Sequence, residues 1–137
     1  APTLDFAVAL NQLVASCSPE TRTVPELDLD PTALTLVTPA IGEQLLSIAR
    51  EALSNSVRHA GATHRSVSLT KTDGSIRLRI TDNGKGFDPG RKRRRGHGLA
   101  NMAARARTIG AQFMLDSAPD RGTSITIDIP TGDPHAC

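Results

Sequence analysis

The chain of 137 residues contains no tryptophan and no tyrosine, and its only aromatic residues are Phe6, Phe87 and Phe113. Single-stranded nucleic acids are bound by stacking bases on aromatic platforms, and three scattered rings do not build one. Cysteine is almost as scarce. Cys17 and Cys137 stand alone, with no Cys-x-x-Cys and no Cys/His grouping. This excludes a zinc site and a disulfide framework, and free thiols are expected. No apolar run approaches the ~20 residues of a membrane span. The first ten residues, APTLDFAVAL, carry no basic leader and no initiator methionine. A signal peptide is therefore not expected, and the chain reads as a cytoplasmic piece of a longer protein, with both a membrane-bound and a soluble whole left open. There is also no P-loop, no His-Glu-x-x-His and no Gly-x-Ser-x-Gly.

What is present suits one folded domain. Hydrophobic residues make up 38% of the chain and the formal net charge is only +2, which argues against disorder and against two separate cores. The basic excess is concentrated in Arg91-Lys92-Arg93-Arg94-Arg95.

Apolar spacing predicts an amphipathic helix over residues 4–16, stopped by Ser18-Pro19. Residues 21–28 suggest a short edge strand. Ala33–Val37 (ALTLV) suggests a further short strand or an extended approach to the next helix. Thr38-Pro39 then opens the longest periodic segment, a helix running to His59-Ala60-Gly61. Ser66–Lys71 and Ser75–Thr81 alternate with period two around Asp73-Gly74 and predict a hairpin. Residues 82–98 hold five glycines without periodicity and read as a functional loop. A helix over 99–109 and strands over 112–117 and 123–129 complete the domain, residues 1–130. Residues 131–137 form a tail. This order predicts an α+β two-layer sandwich, in which about three helices cover one face of a mixed, mostly antiparallel sheet.

Four short motifs can carry chemistry. Glu51 and Asn55, four apart on the long helix, share a face with His59, and Arg58 is adjacent. An acid, an amide and two basic groups on one stripe can hold hydrated Mg²⁺ and its phosphates, because Mg²⁺ takes few protein ligands. A solvated polar face would look the same. Asp82-Asn83-Gly84-Lys85-Gly86-Phe87 follows a strand directly. An Asp there can accept from an adenine amino group while the glycines admit the base, although a plain Asn-Gly turn also fits. Gly96-His97-Gly98-Leu99 precedes a helix, whose free N–H groups attract phosphate. Gly122-Thr123 opens the last strand, where a hairpin turn is the simpler explanation.

In this order and on these elements, the four motifs resemble the ATP-binding catalytic domain of sensor histidine kinases. That family lies in the superfamily of gyrase, the Hsp90 chaperones and MutL. The wording of REALSNSVRHAGA, DNGKGF and GHGLANM is most similar to the nitrate-sensor and lipid-thermosensor class, which has a short lid, here residues 88–95. The resemblance covers residues 4–130 and implies roles. Asp82 reads the adenine amino group. Asn55 ligates Mg²⁺, with Glu51 acting at or near it through a water. Arg58 and His59 contact phosphate or ribose. Gly84, Lys85 and Gly86 shape the base pocket. Gly96, His97, Gly98 and Leu99 wrap the phosphates, and Gly122 and Thr123 support Asp82. ATP and Mg²⁺ are the implied cofactors.

The resemblance also implies partners. The phosphorylated histidine would sit on the protein's own dimerisation hairpin, which this chain lacks, with a response regulator downstream. The isolated domain is then expected to be monomeric and inefficient at phosphorylating itself, and the full-length kinase homodimeric. Two other readings stay open. One is an anti-sigma-factor-type serine kinase of the same superfamily. The other is a nucleic-acid module using Arg91–Arg95, against which the scarcity of aromatics counts.

Overall fold

The computed structural model describes residues 2–16, 25–55, 63–86 and 98–131. Along the chain the elements are α1 (Pro2–Ser16), β1 (Glu26–Leu29), α2 (Pro31–Leu34), α3 (Pro39–Asn55), β2 (Arg65–Thr72), β3 (Ser75–Asp82), α4 (Gly98–Thr108), β4 (Gln112–Ser117) and β5 (Thr123–Pro130). The sheet has the order β1-β2-β3-β5-β4. β1 runs parallel to β2, and the other neighbours are antiparallel. The parallel pair requires a long crossover, and α2 and α3 supply it.

The segment Ala33–Val37, expected to be a short strand or an extended approach to the next helix, is not a strand: its first two residues belong to α2 (Pro31–Leu34). The local caps decide this. Asp30 Oδ1 accepts from the Thr32 amide at 3.0 Å, and Pro31 occupies the first helical position. Both favour helix initiation, and the turn buries Ala33. Among the described residues the edge strand covers Glu26–Leu29; residues 21–24 of the expected strand lie outside them. So does the expected end of the long helix at 56–61.

α3 begins as the sequence predicts. Thr38 Oγ1 accepts from the Ile41 amide at 3.2 Å, with Pro39 next to it. Its buried face comprises Gly42, Leu45, Ile48, Ala49, Ala52 and Leu53. Full burial of each Leu or Ile is worth about 1.5–3 kcal/mol, several times any single helix-propensity difference. Packing therefore fixes which face of α3 turns inward. α1 crosses α3 at Gly42, where an added Cβ would lie 3.2 Å from Phe6 Cδ1.

The sheet has two chemically distinct faces. Val67 and Leu69, Ile76, Leu78 and Ile80, and Ile125, Ile127 and Ile129 are buried together with residues of α1, α3 and α4. The alternate residues are polar. Arg77 makes a two-pronged ion pair to Asp128 at 2.7 and 3.0 Å, Ser66 and Thr81 hydroxyls meet at 2.6 Å, and Arg79 Nε donates to Ser124 at 3.2 Å. Period-two alternation thus places every described helix on one side, as the sequence predicts.

Candidate functional site

The apolar face ends in a polar row. Antiparallel register pairs Arg65 with Asp82, Asp82 with Thr123, and Thr123 with Ser117. Each of these residues is in phase with the core positions of its own strand. Arg65 follows the phase of Val67 and Leu69, Asp82 that of Ile80, Thr123 that of Ile125, and Ser117 that of Leu115. The strands therefore carry these four side chains on the helix-covered face, at the end where β3 leaves the sheet.

Asp82 is the centre of the row. Its Oδ1 accepts from the Gly84 amide at 2.8 Å, and the Thr123 amide also donates to its carboxylate. Burial raises the carboxyl above its ordinary value; those two amides and the Arg65 charge pull it back only in part. Thr123 reaches Asp82 through its backbone. Its hydroxyl lies 2.9 Å from Ser117 Oγ, which in turn donates to the Gly122 carbonyl at 3.0 Å.

Gly86 and Gly122 have physical reasons to be glycine. Their φ values are +63° and +75°. A Cβ on Gly86 would run into the Ala118 carbonyl and lie 2.7 Å from that of Gly122. One on Gly122 would run into the Asp82 carbonyl and lie 3.1 Å from Asn83 Cα. The loop after β3 and the β4–β5 turn are thereby pressed backbone to backbone. The Asp120 amide donates to the Lys85 carbonyl at 2.5 Å across the same junction. Lys85 is exposed and Gly84 half-buried.

The second half of the site comes from two helices. Glu51 and Asn55 sit on the last turns of α3, and Gly98 and Leu99 open α4. A Cβ on Gly98 would lie 2.5 Å from Glu51 Oε2 and 3.5 Å from Asn55 Nδ2. The start of α4 therefore lies directly against the acid–amide pair, and a hydrogen at position 98 permits it. Leu99 packs on the core cluster and anchors this end of the helix. Arg58, His59, Gly96, His97 and the basic run 91–95 lie outside the described residues.

Two residues of this region have roles that motif reading missed. Asn83 clamps the segment before β2: its Oδ1 accepts from the Thr63 and His64 amides, each at 2.9 Å, and its Nδ2 donates to Thr63 Oγ1 at 3.0 Å. In the sequence it looks like an ordinary turn residue before glycine. Arg65 is the one buried charged side chain among the described residues, at 4% exposure. Its phase with Val67 and Leu69 was a legible signal, since a charged residue on an apolar strand face needs a partner.

A sheet covered on one face, with a buried carboxylate at a strand end and a helix N-terminus over an acid–amide pair, is the layout of a nucleotide-binding sandwich. Residues 40–133 match the family of histidine kinase-, DNA gyrase B- and HSP90-like ATPases. The chain belongs to that family. Among curated proteins it is similar to the sensor protein VraS of Staphylococcus aureus, with 44% identity over 90 residues. That match covers 66% of this chain and 26% of VraS, so the chain spans only a part of the curated relatives it matches. In fold it is similar to the Acinetobacter baumannii histidine kinase AdeS, with a TM-score of 0.74, 19% identity, and coverage of 93% of this chain and 65% of that one. It is also similar to the ATP-binding domain of PrrB from Mycobacterium tuberculosis, with a TM-score of 0.65, 23% identity, and coverage of 90% and 91%. Among the described residues no helix is long and apolar enough to cross a membrane.

Proposed function

We propose that this chain is the nucleotide-binding domain of a sensor histidine kinase. It holds Mg²⁺-ATP and presents the terminal phosphate to a histidine on a separate helical hairpin, for relay to a response regulator. The observation that carries this reading is the polar row closing the apolar face, with Asp82 half-buried and oriented by two backbone amides. A desolvated carboxylate with a fixed rotamer suits recognition of an amino group on a flat, apolar base. It is a strong acceptor, and the base would bury apolar area beside it.

The residues present fit both implied cofactors. Glu51 and Asn55 offer a carboxylate and an amide oxygen one turn apart, a donor set suited to Mg²⁺ that keeps several waters. The ion, when bound, supplies charge neutralisation to the phosphates. The first turn of α4 brings N–H groups without intrahelical partners to the same place, where an anion is favoured. Gly96 and His97 would extend this phosphate cradle, and Arg58 and His59 would contact phosphate or ribose. Gly84, Lys85, Gly86, Gly122 and Thr123 form or brace the base pocket. Kinship with sensor proteins favours a histidine acceptor over the serine acceptor of anti-sigma-factor kinases.

The test is thermal unfolding with Mg²⁺-ADP, Mg²⁺-ATP and Mg²⁺-GTP, on the wild type and Asp82→Ala. Ligand at about 100 times its Kd adds about 2.7 kcal/mol, a shift of several degrees. An adenine-selective shift that disappears in Asp82→Ala is the expected result. Equal shifts with GTP, or a shift preserved in Asp82→Ala, would sink the assignment.

A further inference from the structure

Arg65 is a charged residue, 4% exposed, at a position in phase with the apolar core of its strand. Its neighbours in phase on β2 are Val67 and Leu69, both buried. Directly opposite it on β3 stands Asp82. Facing residues on antiparallel strands have Cβ atoms about 4.5–5.5 Å apart, so Arg65 and Asp82 are cross-strand neighbours on the covered face. Burying a guanidinium is costly unless an anion accompanies it. Asp82 carries a matching difficulty, since a buried carboxylate tends to take up a proton.

We propose that Arg65 is a positioning residue for nucleotide recognition, supplying the counter-charge that keeps the Asp82 carboxylate ionised and ready to accept from the adenine amino group. The proposal rests on the nucleotide-binding reading above and adds a residue to that site. Burial of Asp82 acts in the opposite direction; the Gly84 and Thr123 amides oppose it, and Arg65 is the charge that does so with them. Other ionisable side chains lie on the elements around this end. Glu51 is on α3 and His64 immediately precedes β2. Lys85 is in the loop after β3. Asp116 is on β4, with Asp120 and Arg121 in its turn. His64, Lys85, Asp116, Asp120 and Arg121 are exposed. Water screens their fields at Asp82, whereas Arg65 acts from within the same covered layer.

The consequence is a pH limit on binding. Acidification protonates Asp82 and weakens the adenine contact, and Arg65, together with the Gly84 and Thr123 amides, lowers the pH at which this happens.

The experiment is calorimetric titration with Mg²⁺-ADP from pH 5 to 8, on wild type, Arg65→Met, Arg65→Gln, Arg65→Lys and Asp82→Ala. Titration of the nucleotide's own phosphates is common to every variant, so differences between variants isolate the protein. Arg65→Met is expected to move the acid midpoint of binding upward. Between the two midpoints the variant should bind more weakly than the wild type. Arg65→Lys should keep the wild-type midpoint. Arg65→Gln removes the charge while retaining a polar group, and gives the same readout if the Met variant does not fold. A neutral variant with an unchanged midpoint overturns the role of Arg65. Undiminished binding by Asp82→Ala overturns the site itself, which separates the two failures.

Discussion

Gly122→Ala tests the junction on which the base pocket depends. The perturbation has two parts. First, φ at position 122 is +75°, and an L-residue in that region costs about 1–2 kcal/mol. Second, the new methyl meets backbone, namely the Asp82 carbonyl and Asn83 Cα. Neither can swing away as a flexible side chain would, so the loop or the strand must move. Overpacking of this kind costs about 1–3 kcal/mol. The sum is about 2–5 kcal/mol.

Gly110→Ala is a built-in control. Its φ of +68° is nearly the same, yet nothing lies within 4 Å of the added Cβ. It should therefore lose only the backbone contribution, about 1–2 kcal/mol. Urea unfolding of the two variants and the wild type gives both numbers with a common slope. The difference between them is the cost of the contact itself. Equal destabilisation of the two variants would refute the close approach of position 122 to the Asp82 carbonyl. At a temperature where Gly122→Ala is fully folded, its Mg²⁺-ADP affinity should also fall at least about tenfold, since moving a recognition group by a fraction of an ångström is enough. Gly110→Ala should bind normally.

Gly98→Ala should separate stability from binding. The new methyl would meet the end of the Glu51 side chain, which can rotate aside, so unfolding should change by less than about 1 kcal/mol. Displacing Glu51 and lifting α4 should nevertheless weaken Mg²⁺-ADP binding clearly, as read by calorimetry; unchanged affinity would remove Glu51 and Asn55 from the site. Burial raises the Asp82 carboxyl above its ordinary value of 3.8. The native state therefore holds the proton more tightly than the unfolded state, and Asp82 favours folding below that ordinary value. This contribution is lost as pH rises through the elevated native value. The stability of the nucleotide-free wild type relative to Asp82→Asn, which cannot titrate, should rise as pH falls from 7 toward 4; a fall on acidification would contradict the sign. Asn83→Ala removes three hydrogen bonds to residues 63 and 64. These are exposed, and at about 0.5–1 kcal/mol each the loss should total about 1.5–3 kcal/mol by chemical unfolding.

Much of this protein is written locally. Thr38-Pro39 marks the start of α3 because cap and first-turn residues act within four positions of each other. The hairpin of β2 and β3 follows from alternation on both sides of Asp73-Gly74. Glu51, Asn55, Asp82, Gly98 and Thr123 were legible as candidates because each belongs to a short motif adjoining a predicted element. Local signals also compete, and Ala33 and Leu34 show which prevails. The Asp30 cap and Pro31 draw them into a turn of helix, although ALTLV over 33–37 suggests a strand or an extended segment.

Tertiary structure decided the rest. Pairing of β1 parallel to β2, and of β3 with β5 rather than β4, depends on contacts between residues far apart in sequence, which no window of neighbours encodes. Burial of Arg65 beside Asp82 is a property of register, since a shift by one residue would turn both to the open face. Likewise the sequence places Gly86, Gly98 and Gly122 in short motifs without showing what surrounds them. Their requirement to be glycine comes from a backbone or a carboxylate brought against them by a different element. The sequence determines which chemical groups are present and on which elements they ride. The fold determines which of those groups share one desolvated end of the sheet, and so what they do to each other's charge.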